Sequence, residues 1–215
     1  MLAPPAIRGG RTVRAASLVF GLSLFALGIV LLLESELGLS PWDVLSQGLA
    51  EQTPLSFGTA SIAIGLAVLV LAWRLGARIG VGTVANAVLI GVFIEGLVRV
   101  EAVAGLSESS LATRVVLMLA GIAVIGLGSG FYMGAALGAG PRDSLMLVLS
   151  RRAGIRIGVA RTVLEIGATT AGWALGGTVG IGTLAFALLV GPSVELAFFG
   201  LVRSRLTAAE VPSPA

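Results

Sequence analysis

The chain has 215 residues, of which 56% are hydrophobic and only 12% charged, with a net charge of +3 and a mean hydropathy of +1.03. A soluble domain normally carries about 25% charge, so a water-facing surface could not be kept polar, and the composition points to the bilayer as solvent. The chain has no cysteine and no histidine. That excludes disulfides, thiolate metal sites, Cys or His nucleophile relays and imidazole proton switches.

The first apolar run, near Ala15–Leu33, follows Arg8, Arg11 and Arg14 and so has the outline of a signal peptide. A repeat argues for keeping it as a span. Arg14, Gly21, Leu27 and Gly28 return one hundred residues later as Arg114, Gly121, Leu127 and Gly128, inside a run that is no cleaved leader. The echo continues without a gap. Leu37-Gly38-Leu39-Ser40-Pro41-Trp42-Asp43 returns as Leu137-Gly138-Ala139-Gly140-Pro141-Arg142-Asp143, and Gly80-Val81-Gly82-Thr83 as Gly180-Ile181-Gly182-Thr183. Trp73 matches Trp173, and Glu95 matches Glu195.

After the first span, Ser40-Pro41-Trp42-Asp43 reads as a helix start. Ser40 suits the cap, Pro41 the first helical position, and Asp43 can complete a capping box. This helix is expected to run to about Gln52, and its copy from Pro141 to about Arg152. At about 18 Å each spans half a bilayer at most, so each is either re-entrant or interfacial. Asp43 and Asp143 then have two readings. They face a central site at the ends of broken helices, as in transporters built from inverted repeats. Alternatively each caps its own helix and complements the dipole there.

The second and third spans are expected near Phe57–Trp73 and Val81–Val98. Gly82 and its copy Gly182 belong to tight turns before helices; freed amides there could hold an anion, though close helix packing is the simpler reading. Asn86 lies inside the third span and is matched by the apolar Phe186 in the copy, while Glu95 and Glu195 stand near span ends. The fourth span, near Val115–Leu137, carries Gly126, Gly130, Gly134 and Gly138 at four-residue intervals. Such a stripe lets helices approach closely and serves either the contact between repeats or a homodimer. The fifth, near Gly158–Leu175, places Glu165 about 12 Å deep. A carboxylate at that depth faces a cavity or a partner, and Arg161 one turn earlier offers one. Ile181–Val202 is the sixth.

Arginines cluster before span one, between spans two and three, between four and five, and after six, while most acidic residues fall on the other side. Both termini are therefore expected to be cytoplasmic. An odd number of spans per repeat makes the second copy enter from the opposite face, giving an inverted pair.

The Leu-Gly-Leu-Ser-Pro-Trp-Asp-Val-Leu run with Gly48-Leu49, the Leu55-Ser56-Phe57-Gly58 element, and Gly-Val-Gly-Thr ahead of a helix bearing Gly91 and Glu95 resemble the YczE/YitT-type family of bacterial integral membrane proteins. The resemblance covers roughly residues 14–203 and implies a plasma-membrane location, but no catalytic residues, since its members are largely uncharacterised. Arg142 stands where the first copy has Trp42, so equivalence of the two Asp sites does not follow from the repeat.

The expected protein is thus an all-α membrane protein of six transmembrane helices in two inverted three-helix repeats, each with a short re-entrant or interfacial helix. The expected divisions are a cytoplasmic segment (1–14), two repeats (15–103 and 104–205) and a disordered cytoplasmic tail (206–215). The leading functional expectation is a small transporter with a site at Asp43, Asp143 and Glu165, supported by Pro41, Pro141, Gly82 and Gly182. A cationic solute or proton coupling suits those carboxylates. The alternative is a non-transporting scaffold or accessory subunit. No enzyme activity, cofactor, metal or nucleic-acid partner is expected; the bilayer is the main partner, and a homodimer stays open.

Overall fold

The computed structural model describes residues 5–100, 106–204 and 206–207. Eight α-helices are described: α1 (Arg11–Ser35), α2 (Pro41–Gln52), α3 (Phe57–Arg74), α4 (Val81–Leu97), α5 (Leu111–Gly134), α6 (Pro141–Ala153), α7 (Ile157–Ala174) and α8 (Ile181–Arg203). A 3-10 turn, Leu106–Glu108, precedes α5. Helices α1–α4 correspond in order to α5–α8 at the hundred-residue offset. Four helices, α1, α3, α5 and α8, are long and apolar enough to cross a membrane. The apolar α4 is shorter at 17 residues, and α7, interrupted by Arg161 and Glu165, is not among the four.

Helix ends follow local chemistry. Ser110 accepts the amide of Thr113 at 3.3 Å, so α5 begins at Leu111, ahead of the expected Val115. It ends at Gly134, short of the expected Leu137, because Ala136 and Gly138 adopt left-handed backbone conformations (φ 51° and 136°). At the start of the segment expected as a tail, two residues make contacts. Ile7 bridges Thr207, and the Arg8 amide donates to Leu206 at 2.8 Å, so the start of that segment is paired. Residues 208–215 lie outside the described residues, as does the expected boundary between repeats at 103/104.

The core is the seam between α1 and α5. A Cβ added at Gly28 would lie 2.6 Å from the Gly121 carbonyl oxygen, and one at Gly121 would lie 2.8 Å from the Gly28 oxygen. Gly21 and Gly128 repeat the same reciprocal contact. Close backbone approach brings Leu22, Ile29, Leu32, Ile122 and Ile125 into one buried cluster. The four-residue glycine stripe has another use. Gly126 meets Ser193 of α8, Gly130 meets Ala197 and Leu201, and Gly134 meets Pro5 and Ile7. These are packing positions within the chain.

Each half also closes the ends of the other. Arg14 Nε donates to the Ala135 carbonyl at 2.6 Å and its Nη2 to Ala136 at 2.7 Å, at the C-terminal end of α5. Its counterpart Arg114 donates to the Ser35 carbonyl at 2.7 Å, at the end of α1, and lies 3.2 Å from Glu36. Cations there satisfy orphan carbonyls and complement the helix dipole. Arg14→Ala and Arg114→Ala are each expected to cost about 1–2 kcal/mol, read as a lower melting temperature in detergent. Similarly, the Gly82 amide donates to Leu137 at 2.9 Å and the Gly182 amide to Leu37 at 2.6 Å. Both glycines therefore support helix starts, and their amides are occupied by the opposite half.

Packing between helices recurs on exchanging the halves. α1 packs on α4 as α5 packs on α8, and α2 packs on α7 as α6 packs on α3. The largest exception lies within the halves. α3 lies along α4, whereas α7 and α8 make no comparable contact.

Candidate site between the short helices

The N-termini of α2 and α6 approach each other at the centre of the fold. Arg142, on α6, lies 3.6 Å from Asp43 Oδ1 and holds its guanidinium 5.4 Å from the centre of the Trp42 ring. Asp43 is 1% exposed; its other carboxylate oxygen accepts the Ser40 hydroxyl. Asp43 Oδ1 has no hydrogen-bond partner among the described residues, so its charge is offset by Arg142 and by the dipole of the helix it begins. The expected capping box is thus replaced. Ser40 occupies the cap position but donates to Asp43 rather than accepting a backbone amide.

Asp143 differs in every contact. It accepts the hydroxyl of Tyr132, from α5, at 2.9 Å and makes no cap to its own helix. Asn86 of α4 stands close by, since a Cβ added at Gly140 would lie 3.3 Å from Asp143 Oδ2 and 3.4 Å from Asn86 Oδ1. The substitutions across the repeat explain the difference: Leu32 becomes Tyr132, Ser40 becomes Gly140, and Trp42 becomes Arg142.

A cavity of about 680 Å³ opens beside this junction. The start of α6 (Pro141, Arg142, Asp143) forms one wall, and Arg161 and Glu165 of α7 and Glu195 of α8 another. Phe25, Tyr132, Phe186 and Phe198 supply its aromatic surface. Pro41 also lines it, whereas Asp43 sits behind the wall. Of the three expected site carboxylates, then, Asp143 and Glu165 share the cavity and Asp43 holds the junction together. Arg161 pairs with Glu165 at 2.7 Å, so that carboxylate is already neutralised. Glu195 has no ionic or hydrogen-bonded partner among the described residues, while its counterpart Glu95 accepts Ser56 at 2.5 Å and Arg99 at 2.8 Å.

Tyr132, Arg142 and Glu195 were not singled out from sequence as site residues. Tyr132 carried a usable signal, being the chain's only tyrosine and lying within a glycine-rich apolar run. A buried hydroxyl there requires a polar partner.

Comparison with known proteins places this chain in a family. Residues 12–198 match the model of a "Family of unknown function (DUF6198)". The chain is 40% identical over 190 residues to an "Uncharacterized protein" of Haemophilus influenzae, covering 88% of this chain and 84% of that one. It is 35% identical over 209 residues to the "Uncharacterized membrane protein YczE" of Bacillus subtilis, covering 90% and 92%. No solved structure matches.

Proposed function

The chain belongs to the DUF6198 family and is a YczE-like membrane protein; from that footing we propose that it is a small bacterial plasma-membrane transporter for organic cations. In this reading α1, α3, α4, α5, α7 and α8 cross the bilayer as two inverted three-crossing halves, with α2 and α6 re-entrant and both termini cytoplasmic. The reciprocal end-closing by Arg14 and Arg114, the exchange symmetry of the packing and the arginine distribution support it.

One observation carries the substrate class. The cavity is largely apolar and aromatic, yet Asp143 and Glu195 face it without a cationic side chain paired to either among the described residues. A carboxylate without a cationic partner beside so apolar a wall is costly, and a positively charged solute relieves that cost. Aromatic faces attract cations as well and cover an apolar body. The volume lies within the roughly 300–1,000 Å³ typical of small-molecule sites, larger than a bare ion needs. No bond to the solute is made or broken; it enters, exchanges its hydration for these groups, and leaves.

The test is uptake of ethidium, a lipophilic organic cation, into proteoliposomes of the purified protein. Asp143→Asn is expected to reduce the initial rate about tenfold or more, the loss of one charge-assisted contact. No uptake by the unsubstituted protein, or unchanged uptake by Asp143→Asn, contradicts the proposal.

A further inference from the structure

We propose that α7 and α8 form a gate that closes over the cavity by docking Gly158 against Gly191 and pairing Arg156 with Glu195. Its design is displayed by the first half, where the equivalent helices are already closed. A Cβ added at Gly58 would lie 2.6 Å from the Gly91 carbonyl oxygen, and one at Gly91 would lie 2.5 Å from the Gly58 oxygen. Both positions must be glycine for α3 and α4 to meet. The second half keeps the same two glycines, at 158 and 191, but there an added Cβ meets nothing within 4 Å. Space that only a closed pair requires is retained in a pair that stands open.

The polar groups beside these glycines follow the same correspondence. Ser56 hydrogen-bonds Glu95 across the closed ends of α3 and α4. In the second half those positions are Arg156 and Glu195, opposite charges with no ion pair to each other in the open arrangement. Docking as in the first half brings them together, which replaces a hydrogen bond by an ion pair and neutralises Glu195 when no solute is beside it. The clamp residue over Gly91 is Ile62, and the corresponding Thr162 is smaller, so it leaves room for approach. Closure stops short of the full first-half contact. Gly65 packs against Ala87 with an added Cβ only 3.1 Å from its carbonyl, and Glu165 stands at the matching place. Glu165 and Arg161 therefore stay in the cavity while the Gly158 end seals. Pro192, where α4 has Val92, removes one backbone hydrogen bond next to Gly191 and supplies a pivot.

The gate serves the transport reading of the cavity, but its motion is testable without a substrate. In the first half, a Cβ at Gly58 would lie 3.1 Å from Glu95 Cβ, close to the Cβ separation of about 3.5–4.5 Å in a disulfide. The chain has no cysteine of its own, so a Gly158→Cys/Glu195→Cys protein reads the closed state alone. On mild oxidation in vesicles of phosphatidylethanolamine and phosphatidylglycerol, most of it is expected to lose maleimide-reactive thiol while remaining at monomer mass. Adding Gly191→Leu, which fills only open space in the observed state, is expected to preserve the melting temperature and abolish that disulfide. Thiols that stay reactive in the double-cysteine protein, a disulfide only between two copies, or a disulfide unaffected by Gly191→Leu would overturn the gate. A disulfide in the double-cysteine protein, together with no ethidium uptake by the unsubstituted protein, would leave the gate standing and overturn the transport reading instead.

Discussion

Gly58→Val should unfold or severely destabilise the protein, while Gly158→Val, its exact repeat counterpart, should leave the melting temperature unchanged. At position 58 the new side chain begins 2.6 Å from a backbone oxygen and 2.9 Å from a Glu95 carboxylate oxygen. Backbone cannot yield as a flexible side chain does, so α3 must move off α4 and break the Ser56–Glu95 hydrogen bond as well. Overpacking of this kind costs about 3 kcal/mol or more. At position 158 nothing lies within 4 Å, and the change is expected to stay within about 0.5 kcal/mol. Thermal melts of the two purified variants in one detergent decide it. Equal losses at both positions would mean that α7 and α8 are packed together like α3 and α4.

Removing Arg142 is the other large perturbation. Asp43 is 1% exposed, and the Arg142 guanidinium, 3.6 Å away with its side chain 30% exposed, is the cation beside it. Arg142→Ala leaves a buried carboxylate with only Ser40 and the helix dipole to hold it, at an expected cost of about 3 kcal/mol. The same change removes the guanidinium from the Trp42 ring. Asp43→Asn alone should cost far less, because Arg142 is partly exposed and regains water. Combining Asp43→Asn with Arg142→Ala should recover most of the lost stability, since no unpaired buried charge remains. A double variant as unstable as Arg142→Ala would show that the guanidinium acts through packing rather than charge.

Much of the fold was legible in the sequence because it is written twice. The starts of α2 and α6 at Pro41 and Pro141, and those of α4 and α8 at Val81 and Ile181, fall where the repeated motifs place them. Gly21, Gly28, Gly121 and Gly128 marked the repeat and turned out to build its central seam. The site was only half legible. Asp143 and Glu165 reach the cavity, but Asp43, which matches Asp143 at the repeat spacing, is buried behind its wall. Its role is set by Arg142 from the other half, and Asp143's by Tyr132, contacts that no local spacing encodes. The divergence of α7 from α8 was invisible for a different reason. The glycines that would dock them are present in both halves, so the sequence describes the closed pair while the structure holds the open one.

The proposal that the two halves run through the membrane in opposite directions underlies both the transport reading and the gate. Single cysteines at Glu51 and Arg151 test it most directly. The two positions are exposed, correspond across the repeat and lie near the ends of α2 and α6. With a membrane-impermeant maleimide on intact cells, Glu51→Cys should label at once and Arg151→Cys only after permeabilisation. Labelling of both from the same face would contradict an inverted pair.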